Sequence, residues 1–156
     1  MTGTRFRRAG PEDVAAIVAL LIDDPLGKLR EDASGRLHPA YPAAFAAIDR
    51  DPNQILAVAD RDGEVIGCLQ LTFIPGLSRR GMWRGQIEAV RVAAAARGTG
   101  VGREMMAWAI DRCRERGCGL VQLTTDKRRT DAHRFYESLG FQATHEGMKL
   151  PLDRPA

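Results

Sequence analysis

The sequence predicts a single domain over residues 1–156, of mixed α/β class, built on a mixed sheet of six to seven strands with helices on both faces. Three observations carry this. Two apolar runs, residues 54–60 and 65–74, flank Arg61-Asp62-Gly63-Glu64, and an Asp-Gly pair suits the positive φ of a tight hairpin turn. A third strand, opening at Gln86, passes through four alanines into Arg97-Gly98-Thr99-Gly100-Val101-Gly102 and then into a helical pattern over residues 103–116. Strands and helices then alternate to residue 152, giving the order β-α-α-β-β-β-α-β-α-β-β. A hairpin run followed by alternating elements implies a mixed sheet covered on both sides.

Each element has its own signal. Residues 4–8 (Thr-Arg-Phe-Arg-Arg) form a short strand with charged positions suited to a sheet edge. Pro11 stands at a first helical position, followed by Glu12 and Asp13, which favour the positive end of a helix dipole. Val14, Ile17, Val18 and Leu21 then fall on one helical face, and Pro25 ends the helix near Asp23-Asp24. Residues 26–40 read as a connection with a short helix around Lys28–Asp32, and a second helix covers residues 42–49. Twelve residues from Pro75 lead into the motif strand. Gly117 caps the long helix, residues 119–125 make the next strand, and 126–131 form a basic loop. A helix over 131–138 ends at Gly140, and Phe141 opens two final strands that turn at Gly147 before residues 148–152.

Composition bounds the function. The chain has 156 residues, enough to bury a core, and its net charge of +3 does not call for nucleic acid. No apolar run reaches the roughly 20 residues of a membrane span. The N-terminus enters structure directly and has no apolar signal-peptide core. Three cysteines (Cys68, Cys113, Cys118) without metal-ligand spacing read as reduced thiols of a cytoplasmic protein, and no metal is expected.

Glycines in a strand-to-helix turn permit positive φ and close approach of a ligand, and helix N–H groups suit an anion such as a pyrophosphate. The phosphate loop of nucleotide hydrolases requires Gly-Lys-Ser/Thr, but Arg103-Glu104 follow Gly102. The dinucleotide fingerprint requires Gly-x-Gly-x-x-Gly, and here the third glycine comes one residue early. Arg97-x-x-Gly100-x-Gly102 fits Arg/Gln-x-x-Gly-x-Gly/Ala at each defined position. This resembles the pyrophosphate motif of the GCN5-related N-acetyltransferases. Ala132-His-Arg-Phe-Tyr-Glu-Ser-Leu-Gly-Phe141 is similar to that family's closing motif, Ala-x-x-Phe/Leu-Tyr-x-x-x-Gly-Phe. One helix and one strand separate the two motifs, as the family's order requires, so the resemblance covers nearly the whole chain and implies a mostly antiparallel sheet.

The resemblance implies acetyl-coenzyme A as co-substrate and assigns roles. Backbone amides of Arg97, Gly98, Thr99, Gly100, Val101 and Gly102 would wrap the pyrophosphate, with Arg103 at its rim. Val90, Arg91 and Val92 would run beside the pantetheine arm, the N–H of Val90 meeting the thioester oxygen as it gains charge. Glu88, expected on the face of Val90 because strand side chains alternate, is similarly placed to a base in glucosamine-phosphate acetyltransferases; the alternative is a salt-bridged strand residue. An alkylammonium of pKa about 10.4 must lose a proton before it attacks. Tyr136 would protonate the departing sulfur or else be a packed aromatic beside Phe135. Arg129 stands where the family has a cofactor-touching Asn, and Lys127, Arg128, Arg129 and Arg134 either meet the 3′-phosphate or stay solvated. His133, one turn from Glu137, reads as surface, and Met105, Met106, Ile110 and Cys113 as core.

For the acceptor, Asp23, Asp24, Glu31 and Asp32 suit a cationic amine, while Arg79, Arg80 and Arg84 around Trp83 suit a carboxylate. The expected activity is direct acetyl transfer to a primary amine of a small molecule or peptide, without nucleic acid or membrane partner and with homodimerisation left open. The alternative is a non-catalytic acyl-coenzyme A-binding or regulatory interaction module, which would need neither Glu88 nor Tyr136.

Overall fold

The computed structural model describes residues 3–154. The direct entry of the N-terminus into structure falls partly on Met1 and Thr2, which lie outside the described residues. The chain divides into one compact unit ending at Leu123 and a second beginning at Thr124.

The first unit is a five-stranded sheet in the order β1-β2-β3-β4-β5, with β1 (Thr4–Arg8), β2 (Gln54–Arg61), β3 (Glu64–Ile74), β4 (Arg84–Val92) and β5 (Leu120–Leu123). The first three pairings are antiparallel and the last, β4 with β5, is parallel. The charged strand β1 lies at the edge, as its composition predicts. Asp62 and Gly63, at φ 54° and 86°, make the hairpin turn with both central residues left-handed.

The helices α1 (Val14–Ile22) and α2 (Ala40–Asp49) cover one face of the sheet, where Val14, Ile17, Val18 and Phe45 bury against Val58 and Cys68. On the other face lies α4 (Val101–Glu115), whose Met105, Met106, Ala109 and Cys113 are buried with Leu69, Leu71, Phe73 and Ile87. Each such apolar side chain contributes roughly 1.5–3 kcal/mol. Gly85 is required by this packing: a Cβ there would stand 2.2 Å from the Cys113 Sγ. The short turn α3 (Ser78–Gly81) holds Arg79 and Arg80 in left-handed conformation. In the first connection the short helix is a 3₁₀ turn at Gly27–Leu29.

Beneath α1, Arg7 donates to both Asp13 (2.7 Å) and Asp60 (2.9 Å). Its guanidinium holds both carboxyls below their ordinary range, through hydrogen bonds first and charge second.

The second unit contains α5 (Thr130–Ser138) followed by irregular chain. The two final strands expected from Phe141 onward do not form, so the sheet has five strands rather than six to seven. Phe141 donates its N–H to Tyr136 and Thr144 donates to Gln142, local bonds in place of a ladder. Pro151 removes a further donor, and Met148, Leu150 and Leu152 are exposed.

Candidate active site

The site grows from a defect in β4. Parallel pairing to β5 runs only from Arg84 to Ile87, so the edge of β4 from Glu88 to Val92 has no strand beside it among the described residues. On its other side the register with β3 steps from Gln70↔Glu88 to Cys68↔Arg91, two residues of β4 spanning one of β3. This is a β-bulge, and Ala89 takes φ 53° to make it. The bulge shifts the alternation by one. Glu88 and Arg91, opposite Gln70 and Cys68, now share the face beneath α1 and α2. Val90 does not share it, which corrects the expectation from simple alternation. Glu88 is exposed, while Val90, Arg91 and Val92 are half-buried. Arg91 donates from one guanidinium nitrogen to the Val90 carbonyl (2.8 Å), and the other lies 3.7 Å from Asp24.

From Val92 the chain passes through a 3₁₀ turn, Ala94–Ala96, into the glycine turn. Gly98 and Gly100 have φ 77° and 93°, and the Thr99 hydroxyl donates to the Ala96 carbonyl at 2.6 Å. Gly100 is the N-cap of α4, so no side chain occupies the first N–H groups of that helix. A Cβ at Gly98 would meet nothing within 4 Å, and at Gly100 only a Glu104 oxygen at 4.0 Å. The result is an open concavity with uncapped donors, which fits a pyrophosphate. Val101 is 2% exposed and offers the ligand only its backbone, whereas Arg103 is exposed. Arg97 folds away from the concavity: its Nε donates to Val92 (3.1 Å) and its terminal nitrogen to the Asp23 carbonyl (3.3 Å).

Glu88, Val90, Arg91, Val92 and the 97–103 turn thus belong to one continuous stretch of the first unit. Arg129 and Tyr136 belong to the second. There Tyr136 packs against Phe135 (centroids 5.3 Å apart) and Phe141 (6.0 Å). Arg129 is the N-cap of α5. Arg128 chelates Asp126 through two bonds of 2.8 and 2.9 Å, and Arg134 pairs with Asp131. His133 lies 3.6 Å from Glu137, as its surface reading predicts.

The acids proposed for a cationic acceptor already have partners. Asp23 and Asp24 face Arg97 and Arg91, Glu31 accepts from the Tyr41 hydroxyl at 2.7 Å, and Asp32 accepts from the Ser34 N–H at 3.0 Å. Two features went unread in the sequence. One is a cleft of about 120 Å³ between α1, α2 and the sheet, lined by Ile17, Leu21, Phe45, Gln70 and Ala89. The other is a polar strip on the same face, where Gln54 accepts from Gln70 (3.0 Å) and Thr72 (2.9 Å), while Gln122 donates to Gln86 (2.8 Å).

Comparison with known proteins agrees with this geometry. Residues 15–141 match the profile of the acetyltransferase (GNAT) family. An aminoalkylphosphonate N-acetyltransferase of Salmonella typhimurium is 33% identical over 140 residues, covering 90% of this chain and 86% of that protein. A glucosamine 6-phosphate N-acetyltransferase of Trypanosoma brucei brucei is 33% identical over 90 residues, 58% of this chain and 59% of the relative. A crystal structure from Bacillus halodurans C-125, described as that of a transcriptional regulator, superposes with a TM-score of 0.93 at 48% identity, covering 96% of this chain and 100% of its own. The chain belongs to the GNAT acetyltransferase family. It is an acetyl-coenzyme A-dependent N-acetyltransferase.

Proposed function

We propose that the chain moves the acetyl group of acetyl-coenzyme A directly to the primary amine of a small molecule carrying a phosphonate or phosphate. The observation that carries this reading is the edge of β4, without a strand partner among the described residues, running into the glycine concavity; it offers an extended arm a strand to pair with and its pyrophosphate a bed of N–H groups. The acceptor class is supported by the activities named for the Salmonella and Trypanosoma relatives.

Acetyl-coenzyme A supplies the acetyl group already activated as a thioester. In this reading Glu88, exposed at the bulge, takes the proton of the acceptor ammonium directly or through water. The N–H of Val90 holds the carbonyl oxygen as it gains charge, a contribution of about 3 kcal/mol. Tyr136 returns a proton to the departing sulfur. Arg97 to Gly102 hold the pyrophosphate, Arg103 adds charge at the rim, Arg91 and Val92 line the arm, and Arg129 serves the cofactor's far end. The reading uses no metal. It treats residues 1–156 as one acetyltransferase domain, which the family profile crossing both units supports. It sets the enzyme in the cytoplasm, where its three free thiols stay reduced, acting on neither nucleic acid nor membrane, and leaves homodimerisation open.

A regulatory acyl-coenzyme A-binding role is the second reading, favoured by the description of the Bacillus halodurans neighbour. Coenzyme A release over a panel of aminoalkylphosphonates, amino-sugar phosphates, polyamines and amino acids separates the two. The proposal expects the highest kcat/KM with the phosphorus-bearing amines. Saturable binding of acetyl-coenzyme A without release on any amine establishes the second reading instead.

A further inference from the structure

We propose that Cys68 is a positioning residue for acetyl transfer: its thiol holds the bulged Ala89–Val90 peptide so that the Val90 N–H faces the open edge of β4. The inference rests on the reading above, in which that N–H receives the thioester oxygen.

A bulge takes backbone groups out of the ladder, and each then needs another partner. Here a side chain of β3 serves one of them. Cys68 is 1% exposed on β3, directly opposite the bulge, and its Sγ donates to the Ala89 carbonyl at 3.6 Å. Burial pushes the thiol up to about 12, so it remains a protonated donor at neutral pH.

The Ala89 carbonyl and the Val90 N–H belong to one peptide group. No described peptide bond is cis, so the two point in opposite directions. Drawing the carbonyl toward Cys68 on β3 therefore turns the N–H away from β3. That is the side on which pairing with β5 has ended at Ile87. The next peptide is held from its other end, by the Arg91 guanidinium on the Val90 carbonyl. Ala89 at φ 53° is in a conformation alanine seldom keeps, and the Cys68 thiol bonds its carbonyl in that conformation.

Two variants separate positioning from packing. Cys68→Val stays apolar, adds about one methyl group and removes the donor; Cys68→Ser keeps a donor and loses volume and stability. Packing alone would rank Val above Ser in thermal stability and activity alike. Positioning inverts the second ranking. Cys68→Val should melt near the wild type and bind acetyl-coenzyme A within about threefold by calorimetry, yet lose about ten- to a hundredfold in kcat, the scale of a misplaced oxyanion donor. Cys68→Ser should melt lower and keep the greater kcat when assayed well below its melting point. A Cys68→Val enzyme within threefold of wild-type kcat, or with kcat not below that of Cys68→Ser, overturns the inference while leaving the transfer reading intact. A wild type that acetylates no amine defeats that reading first, and the inference with it.

Discussion

Gly100 is where backbone conformation and cofactor binding are most tightly joined, and Gly100→Val measures the connection. At φ 93° the residue sits in the left-handed region as N-cap of α4. An L-residue there costs about 1–2 kcal/mol, and β-branched valine stands at the upper end. Crowding contributes nothing in the free protein, because a Cβ would meet only a Glu104 oxygen at 4.0 Å. The free turn can relax out of the left-handed conformation and shed the strain. Binding must restore it, and the valine methyls then stand where a phosphate would approach. Restoration alone amounts to about tenfold in Kd, since 1.4 kcal/mol is a factor of ten. Titration calorimetry with acetyl-coenzyme A should show a Kd raised at least tenfold, with a melting point lowered by no more than several degrees. Gly100→Ala, smaller and unbranched, should fall between. Unchanged affinity in Gly100→Val would reduce the turn to a strand-to-helix connection.

Tyr136→Phe keeps both ring contacts and removes only the hydroxyl, so turnover at fixed pH should fall by roughly one to three orders of magnitude with little change in melting point; normal turnover makes the residue structural. Asp13 and Asp60 are held below the ordinary carboxylate range by Arg7, so their stabilisation is complete above about pH 4 and is lost as pH falls through their folded values. Arg7→Met should cost about 2 kcal/mol in urea unfolding at pH 7, mostly from the stranded Asp13, and should flatten the loss between pH 5 and pH 2; an equal slope in both proteins refutes the linkage. Burial pushes the Cys68 and Cys113 thiols up to about 12, leaving about one thiolate in ten thousand at pH 8. N-ethylmaleimide should therefore spare both in the native protein and modify all three cysteines in urea, and rapid native labelling at Cys68 would show that the bulge opens.

Local chemistry made much of the fold legible. The Asp62-Gly63 turn, the apolar face of α1 and the glycines after α4 and α5 each follow from one residue type meeting one backbone requirement, and Gly117 and Gly140 do adopt φ 74° and 95°. The glycine concavity was readable for the same reason. The bulge was harder, because alternation is the default for a strand and Ala89 carries no mark of a left-handed conformation. A trace of it is visible: Ile87 and Val90 are three apart where Val90 and Val92 are two, a slip in the period-two pattern. The roles of Cys68 and of the Arg7 pair depend on which strands become neighbours, a long-range fact that no local pattern carries. The final strands failed for the converse reason. Met148, Leu150 and Leu152 alternate as a strand would, but alternation supplies no ladder partner, and these residues stay exposed.

The central claim is that acetyl-coenzyme A lies along the free edge of β4 with its pyrophosphate in the glycine turn. Amide chemical shifts of the labelled protein titrated with acetyl-coenzyme A test it residue by residue. The account predicts the largest changes at Val90 and Val92 and at Gly98 to Gly102, with both groups reduced in Gly100→Val at a ligand level that just saturates the wild type. Saturable binding that leaves both groups unmoved and shifts amides elsewhere would contradict it.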